Sequence, residues 1–512
     1  MKLHPKRPTP PCPAPAEELA QQARRRFEQI LAVCQQRELT FARFEKGLAV
    51  LLALLGILLV RLYLARRHER LDLDPYLAQG SYRRGEPAAP RTLKTAYGPL
   101  VYARAQLIRR GGGAGFYPLD AALGLTRDQL SPWVLQFVGR LATRMSFATA
   151  RLLCQAALRW APATETIEQV VLGLGRQAAP FMEQSAAPPP QEGDVLVIEI
   201  DGKCPPTATA AELAKRRGKR GCRGGGCGCQ RHRGRAKRKA RGPRKRRRKG
   251  DHSKNGKEVV LVVTYTLRPG ADGQLHGPCH KKVWASFAGR QAAALWARAE
   301  ATRRGFGPGT PRTVQLVMDG AKGLRQKLAP LFPGAIVTLD VCHVVEKLWA
   351  LGHHFHPEGS EALAAWVEEL KALVYAGKAA ELVGRLKECQ RQVPMHGPGT
   401  KGRREALRRL IGYLAPRLEM MRYAEWREKD LVLGSGQVEG AVRHVVGERL
   451  DGAGMRWLQG KAEAVLQLRC LELNGDWERF IRWVQNLNRD RVQKGQRLRI
   501  LTDQPMKLAK AA

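Results

Sequence analysis

The sequence predicts an α/β protein in which a mixed-sheet core carries an all-helical insertion and follows a mainly helical N-terminal region. Three observations lead there. Short apolar runs recur in the second half of the chain, and two end in an acid: Val195-Leu196-Val197-Ile198-Glu199-Ile200 before Asp201, and Val314-Gln315-Leu316-Val317-Met318 before Asp319. Such runs, closed by Asp-Gly, read as buried strands presenting a carboxylate at their C-terminal ends. Strand-like and helix-like patterns then alternate, and stretches rich in helix formers lie before this region and within it.

Ala16 to Arg67 reads as helical. Within it Gly47 to Val60 carries no charge, and beyond Arg61 the apolar character continues through Leu62-Tyr63-Leu64-Ala65. An uncharged run of that length spans about 21 Å of helix, against roughly 30 Å of bilayer hydrocarbon. It is therefore expected to be buried in a core or a dimer interface; a membrane span would require Arg61 to snorkel. Met1 to Glu17 is Pro-rich and lacks the apolar core of a signal peptide. Leu93 to Ile108 alternates around Tyr97-Gly98-Pro99, a β-hairpin pattern, and the Gly111-Gly112-Gly113 loop follows. Ser131 to Gly175 reads as short helices. Ser146 would cap one through Leu158 and Thr164 a second through Leu174. Two short helices joined by a tight turn fit a helix-turn-helix DNA reader, or an ordinary helical subdomain. Ala186-Ala187-Pro188-Pro189-Pro190 marks a linker.

After Asp194 come strands ending at Asp201, at Val259–Leu267 and at Val283–Phe287, then a helix over Gln291–Arg303. A strand at Val314–Met318, a helix at Lys322–Leu331, a strand at Ala335–Leu339 and a helix at Cys342–Leu351 complete the series. The order β-β-β-α-β-α-β-α is that of an RNase H-like fold, which carries carboxylates on its first strand and just after its fourth. Asp201 and Asp319 occupy those places. Glu358 to Leu431 is helical throughout and reads as an insertion, after which Glu439 opens a helix within Gly434-Ser435-Gly436-Gln437-Val438-Glu439-Gly440. The expected domains are 1–90 (helical, possible oligomerisation), 91–185 (hairpin plus helices, DNA-binding), 194–357 (core, with a basic insertion over 204–255), 358–431 (helical insertion) and 432–512 (the rest of the core and C-terminal helices).

The chain has 512 residues with 88 Lys+Arg against 46 Asp+Glu, a formal net charge of +42. That excess points to a polyanion, DNA or RNA, because neutralising phosphates releases counterions. Ala211 to Gly250 holds 19 basic residues and one acid, leaving about +24 on the rest, so the basic character is not confined to one tail. The eleven Cys, odd in number and mostly scattered, argue for a reducing cytosol over a disulfide framework. Converging carboxylates repel unless cations sit between them, and hard oxygen ligands suit Mg²⁺ or Mn²⁺. In so basic a chain that chemistry points to phosphodiesters.

Several stretches, in order, carry a resemblance: Tyr117-Pro118-Leu119-Asp120, Val317-Met318-Asp319-Gly320-Ala321-Lys322-Gly323-Leu324, Leu339-Asp340-Val341-Cys342-His343-Val344-Val345-Glu346-Lys347-Leu348-Trp349, the Glu439 stretch above, and Gly452-Ala453-Gly454-Met455-Arg456-Trp457. From about Arg91 onward the chain resembles DDE-type transposases of bacterial insertion sequences, closest to the ISKra-type group, itself related to Mutator-like transposases. The resemblance implies Asp201, Asp319 and Glu439 as catalytic, metal-binding residues, separated by 118 and 120 positions. It also implies a Cys-or-Asp-x-x-His signature, here Asp340 and His343, with His343 contacting the scissile phosphate or orienting a metal ligand. A rival assignment makes Asp340 the second catalytic carboxylate. The implied activity is metal-dependent cleavage at the terminal inverted repeats and joining of the 3′-OH to target DNA, with two Mg²⁺ or Mn²⁺ ions as cofactor. DNA is the implied partner, with self-association into a homo-oligomer, no membrane, and a cytoplasmic, nucleoid-associated location. The alternatives are an inactive, domesticated DNA-binding protein and an RNase H-like nuclease.

Two stretches depart from relatives. Arg109-Arg110-Gly111-Gly112-Gly113 stands where some carry a Cys pair, so no zinc ribbon is expected there. The basic insertion holds Cys222, Cys227, Cys229 and His232, whose spacing only loosely resembles zinc ligation. A basic arm holding DNA by charge is the expected reading, and no structural zinc is expected. Each phosphate neutralised on duplex DNA adds about −0.9 to the slope of log affinity against log salt. Deleting Lys215 to Lys249 is expected to flatten that slope and to spare end specificity, measured by binding to specific and random duplexes over a salt series. An unchanged slope would show that the arm is not on DNA.

Overall fold

The computed structural model describes residues 14–36, 38–112, 115–184, 193–214, 257–307, 309–320, 322–452, 455–494, 496 and 498–506. The linker at Ala186–Pro190, the arm Lys215–Lys249 and the group Cys222, Cys227, Cys229 and His232 lie outside the described residues. The chain divides into two units: residues up to Glu183 with Gly475–Gln504, and Gln184–Asn474 with the residues from Pro505 on.

In the first unit the helix expected over Ala16–Arg67 is two helices, α1 (Ala16–Cys34) and α2 (Phe41–Glu69). They fold back on one another, and the Ala16 amide donates to the Glu69 carboxylate at 2.9 Å. The expectation that Gly47–Val60 is buried does not hold: in α2 only Gly56 and Leu64 are buried. By length and composition α2 could cross a membrane. Apolar composition says that a segment avoids water but not what covers it, and this unit covers only part of α2. Gly56 lies under the Tyr97 ring, where a Cβ would stand 2.4 Å from a ring carbon. Leu64 joins a core of Leu93, Leu100, Tyr102, Leu119 and Leu125, flanked by Ile57 and Val60.

Helix α3 (Asp74–Ala78) leads to β1 (Tyr82–Arg84), which pairs antiparallel with β4 (Leu107–Arg109). The expected hairpin is β2 (Ala89–Thr95) and β3 (Gly98–Arg104), with alternating burial on both strands. Helix α4 (Pro118–Ala122) follows and brings Asp120 beneath the hairpin. There the carboxylate pairs with Arg91 at 2.8 Å and with Arg104, and accepts the Tyr102 hydroxyl at 2.6 Å. The Arg104 guanidinium stacks 3.5 Å over the Tyr117 ring. The Tyr-Pro-Leu-Asp stretch thus fastens a hairpin.

Helices α5 (Pro132–Arg144), α6 (Phe147–Leu158) and α7 (Thr164–Gln184) come next. Ser146 caps α6 as expected, its Oγ accepting the Thr149 amide at 3.1 Å. Helix α7 runs past Leu174 because Gly173 serves close approach and not termination: a Cβ there would lie 2.2 Å from the Ile500 carbonyl oxygen. The helix Trp477–Gln493 also belongs to this unit, with Phe480 edge-on to Phe181 of α7.

The second unit is built on one mixed sheet in the order β7-β6-β5-β8-β9. Strands β5 (Val195–Lys203), β6 (Val259–Pro269) and β7 (Leu275–Ser286) are antiparallel neighbours. Strands β8 (Thr313–Met318) and β9 (Ile336–Leu339) add parallel to β5. The near-continuous apolar runs follow from burial on both faces. Strand β7 begins eight residues before the expected Val283, because its polar first half, Leu275 to Lys282, pairs with β6 through two irregularities. Helices α8 (Arg290–Arg303) and α9 (Lys322–Leu328) lead into β8 and β9, and α10 (Val341–Gly352) follows β9. The expected helical stretch contains α11 (Glu361–Tyr375), α12 (Ala379–Gln392), α13 (Thr400–Leu414), a 3₁₀ segment Ala415–Met420 and α14 (Tyr423–Glu428). Helix α15 (Gly436–Val442), a π-turn (Arg443–Gly447), α16 (Glu448–Leu450) and α17 (Gln459–Leu473) follow. Helix α17 is buried nearly all round; its Glu463 accepts from the Ser286 hydroxyl at 2.7 Å and the Phe287 amide at 2.9 Å.

Removing one member of a buried ion network leaves the others uncompensated, typically at about 3–5 kcal/mol. Asp120→Ala is expected to lower the opening free energy of β2 and β3 by roughly that amount, read from amide hydrogen exchange. Asp74→Ala, which removes a largely exposed pairing with Arg84, should leave it unchanged.

Candidate functional site

The sheet register sets the site. Ile200, Met318 and Leu339 are lateral neighbours on β5, β8 and β9. The next residue on each strand is an aspartate: Asp201, Asp319 and Asp340. Parallel neighbours lie about 4.8 Å apart, so three carboxylates leave one edge of the sheet at one level.

The three differ in surroundings. Asp201 is half-buried, opposite Leu261 of β6, and its Oδ1 accepts the Gly202 amide at 2.6 Å. Burial, with the nearby Asp319 and Asp340 charges, holds its carboxyl above the usual range, against the Gly202 amide and His343. Asp319 is half-buried, in a turn held by the helical insertion. Tyr413 donates to its carbonyl at 2.6 Å, and Arg417 donates to the Gly320 carbonyl at 2.8 and 3.0 Å. Gly320 has φ of +76°, and a Cβ there would meet Arg417 and Leu339 at 2.7 Å, so the turn requires glycine.

Asp340 is fully buried and fully engaged. Its Oδ1 accepts the amides of Cys342 at 2.9 Å and Ser435 at 3.3 Å. Its Oδ2 accepts the Ser435 hydroxyl at 2.5 Å and His343 Nδ1 at 2.6 Å. Burial alone would raise its pKa, but the His343, Ser435 and Cys342 donors outweigh it and hold the carboxyl below the ordinary value. The same pairing lifts His343 to about 9, against its partial burial. His343 therefore stands as an imidazolium at neutral pH, with Nδ1–H given to Asp340 and Nε2–H free to donate.

Glu439 reaches this point by a long detour. The chain leaving α14 runs beside β8 and β9: the Gln315 amide brackets Val432, donating to its carbonyl at 2.6 Å and accepting its amide at 3.1 Å. The Val341 amide donates to Leu433 at 3.0 Å. Ser435 follows, then α15 with Glu439 exposed on its first turn. Ligand atoms of Asp340, His343 and Glu439 lie within 4.8 Å of one another, close enough to hold a metal ion. The donor chemistry assigns them differently. Four protein donors fill the lone-pair sites of Asp340, and a protonated His343 has none to offer. Asp201 and Asp319 are half-buried and lie outside that close group, and Glu439 within it is exposed.

Three contributors were not singled out from sequence. Glu199 is fully buried two residues before Asp201, on the same face of β5. It accepts the Tyr265 hydroxyl at 2.6 Å and the Val438 amide at 2.7 Å, tying the start of α15 to the sheet. Burial raises it to about 7. A glutamate inside an otherwise apolar strand is the signal that marks it. Ser435, buried beside Asp340, lies 3.2 Å from Glu439 Oε1 and links the two acids. Arg290, paired with Glu258 at 2.8 Å, is drawn toward the charged form by Glu258 and by Asp319, which places a cation at the edge of the site.

No protein-family model matches the chain, and no curated protein matches it.

The His343 pairing favours the imidazolium, so its contribution to stability is complete below about pH 6.5, the usual histidine value, and is lost as pH rises through about 9. In metal-free protein, nitrogen-15 histidine spectra should show one ring titrating near 9, missing in His343→Gln. Added Mg²⁺ or Mn²⁺ should lower that value by placing positive charge beside the ring; no shift at saturating cation would remove the cation from this site.

Proposed function

We propose that the chain is a DDE-type DNA transposase whose sheet is the core of an RNase H-like fold. The carrying observation is the common register of Asp201 and Asp319 on adjacent parallel strands, with Glu439 returned on a helix beside Asp340 and His343, in a chain of net charge +42. The strand order β7-β6-β5-β8-β9, antiparallel then parallel, supports the fold reading.

Asp201, Asp319 and Glu439 would hold Mg²⁺ or Mn²⁺. Bound there, such ions lower the pKa of an attacking water or 3′-OH and stabilise the leaving 3′ oxygen. The surrounding residues prepare the substrate. His343, cationic and oriented by Asp340, offers Nε2–H to a non-bridging oxygen of the scissile phosphate. Asp340 keeps its charge on His343 and Ser435 and so positions without ligating. Arg290 adds positive charge where the phosphodiester would enter. No protein nucleophile is required, so hydrolysis and joining use one set of residues. Helices α6 and α7, joined by the short turn Arg159–Ala163, are the segment we assign to reading the element's ends.

The test is cleavage and joining on duplexes carrying the DNA that flanks the gene. Asp201→Ala, Asp319→Ala and Glu439→Ala should each lose cleavage by about 100-fold or more while binding the same duplex nearly as well, because most DNA affinity comes from phosphate contacts elsewhere. Substantial cleavage by Asp319→Ala would transfer its role to Asp340. Inverted repeats and a short target duplication around the gene would separate a transposase from a nuclease.

A further inference from the structure

Helix α10 carries a second cation one turn beyond His343. Lys347 follows it by four positions, so the two share a face of the helix and stand about 6 Å apart along its axis. The Lys347 ammonium is held 4.6 Å over the Tyr413 ring, and the Arg417 guanidinium lies 4.6 Å from the centre of the same ring. Tyr413 is the residue whose hydroxyl donates to the Asp319 carbonyl. One aromatic ring therefore ties Lys347 to the turn that presents Asp319.

Lys347 differs from the other cations of the site in what its charge meets. His343 gives Nδ1–H to Asp340. Arg290 is paired with Glu258. Arg417 directs its donors to the carbonyls of Gly320 and Tyr413. Lys347, half-buried, has neither a hydrogen bond nor an ion pair among the described residues. Its neighbours at three and four positions along α10 are His343, Val344, Ala350 and Leu351, none of them an acid. An aromatic face orients an ammonium without neutralising it, and leaves N–H donors for an anion.

We propose that Lys347 binds the phosphate next to the scissile one on the strand being cut. This rests on the reading of the site as one that cleaves DNA, with His343 on the scissile phosphate. A single free phosphate would need only one of these cations. A strand supplies phosphates in succession, at a separation of the same order as one helical turn, which matches two cations on one helix face. Holding both phosphates fixes the register of the strand over Asp201 and Asp319, so Lys347 decides which phosphodiester stands at the carboxylates.

The experiment is cleavage by the full chain, with Mg²⁺ or Mn²⁺, of duplexes carrying the DNA that flanks the gene. The linkages on either side of the scissile one are replaced, one at a time, by neutral methylphosphonates. At one of them the neutral linkage should lower wild-type kcat/KM by about 10- to 100-fold, the worth of one hydrogen bond to a charged group. Lys347→Met should lose a similar factor on unmodified DNA and little more on the neutral linkage, because the two changes remove the same contact. Lys347→Arg should recover most of the loss. Losses that multiply in the combined case overturn the proposal, since Lys347 would then act elsewhere. The scan of wild type needs no variant, so indifference to both neutral linkages overturns it even where Lys347→Met fails to fold. Cleavage that is lost in Asp319→Ala but insensitive to the neighbouring linkages ends this inference alone. Wild type that cleaves none of the duplexes ends it together with the reading on which it rests.

Discussion

The lateral register of Ile200, Met318 and Leu339 commits the structure to an electrostatic problem: three aspartates leave adjacent parallel strand ends at one level. At about 5 Å and an effective dielectric near 20, two like charges repel by roughly 3 kcal/mol. The protein relieves part of this internally. Asp340 is withdrawn into the interior and matched by a cation and three neutral donors. What remains is shared by Asp201 and Asp319, and in Asp201 it adds to burial, the larger cause, in raising the proton affinity. A divalent cation relieves the same repulsion better than a proton, because it can serve both carboxylates. Electrostatic strain at the strand ends and the affinity for a hard cation that we propose would therefore be one property of the register.

The helical insertion is part of the same arrangement. It separates the strand-end aspartates from Glu439 in sequence, yet its side chains hold the turn that Asp319 occupies. Tyr413 and Arg417 grip the Asp319 and Gly320 carbonyls, and Tyr423 donates to the Leu339 carbonyl at 2.8 Å, directly before Asp340. A long loop costs little more to close than a moderate one, but a metal ligand must be held to a fraction of an ångström. The bracket of Gln315 on Val432 and the hold of Glu199 on Val438 supply that precision at the returning end.

Strands β5, β8 and β9 were legible because each is a short β-branched run closed by an acid, and their edges moved by only a residue or two. The second-unit helices were legible from composition, and α6 of the first unit from its Ser146 cap. What could not be read was anything decided by a distant partner. The split between Asp319 and Asp340 depends on which carboxylate is filled by protein donors, and those donors include Ser435, ninety-five positions from Asp340. Glu199 looked like part of an apolar strand until Val438 and Tyr265 arrived beside it. Helix α7 runs past the expected Leu174 to Gln184, and Gly173 within it admits the Ile500 carbonyl.

The first unit shows the same dependence in its most direct form. Its interior holds Arg91 and Asp120, charged and buried, while Leu52 and Leu59 of α2 stand half in water. Read residue by residue, each placement defies hydropathy. Read as a set, they agree. The hairpin is too small to bury a wide apolar stripe, and it gains its specificity from a satisfied ion network in place of a larger core. The leucines are thereby released from intramolecular duty. Leaving so much apolar surface in water is unfavourable at about 25 cal/mol for each Å².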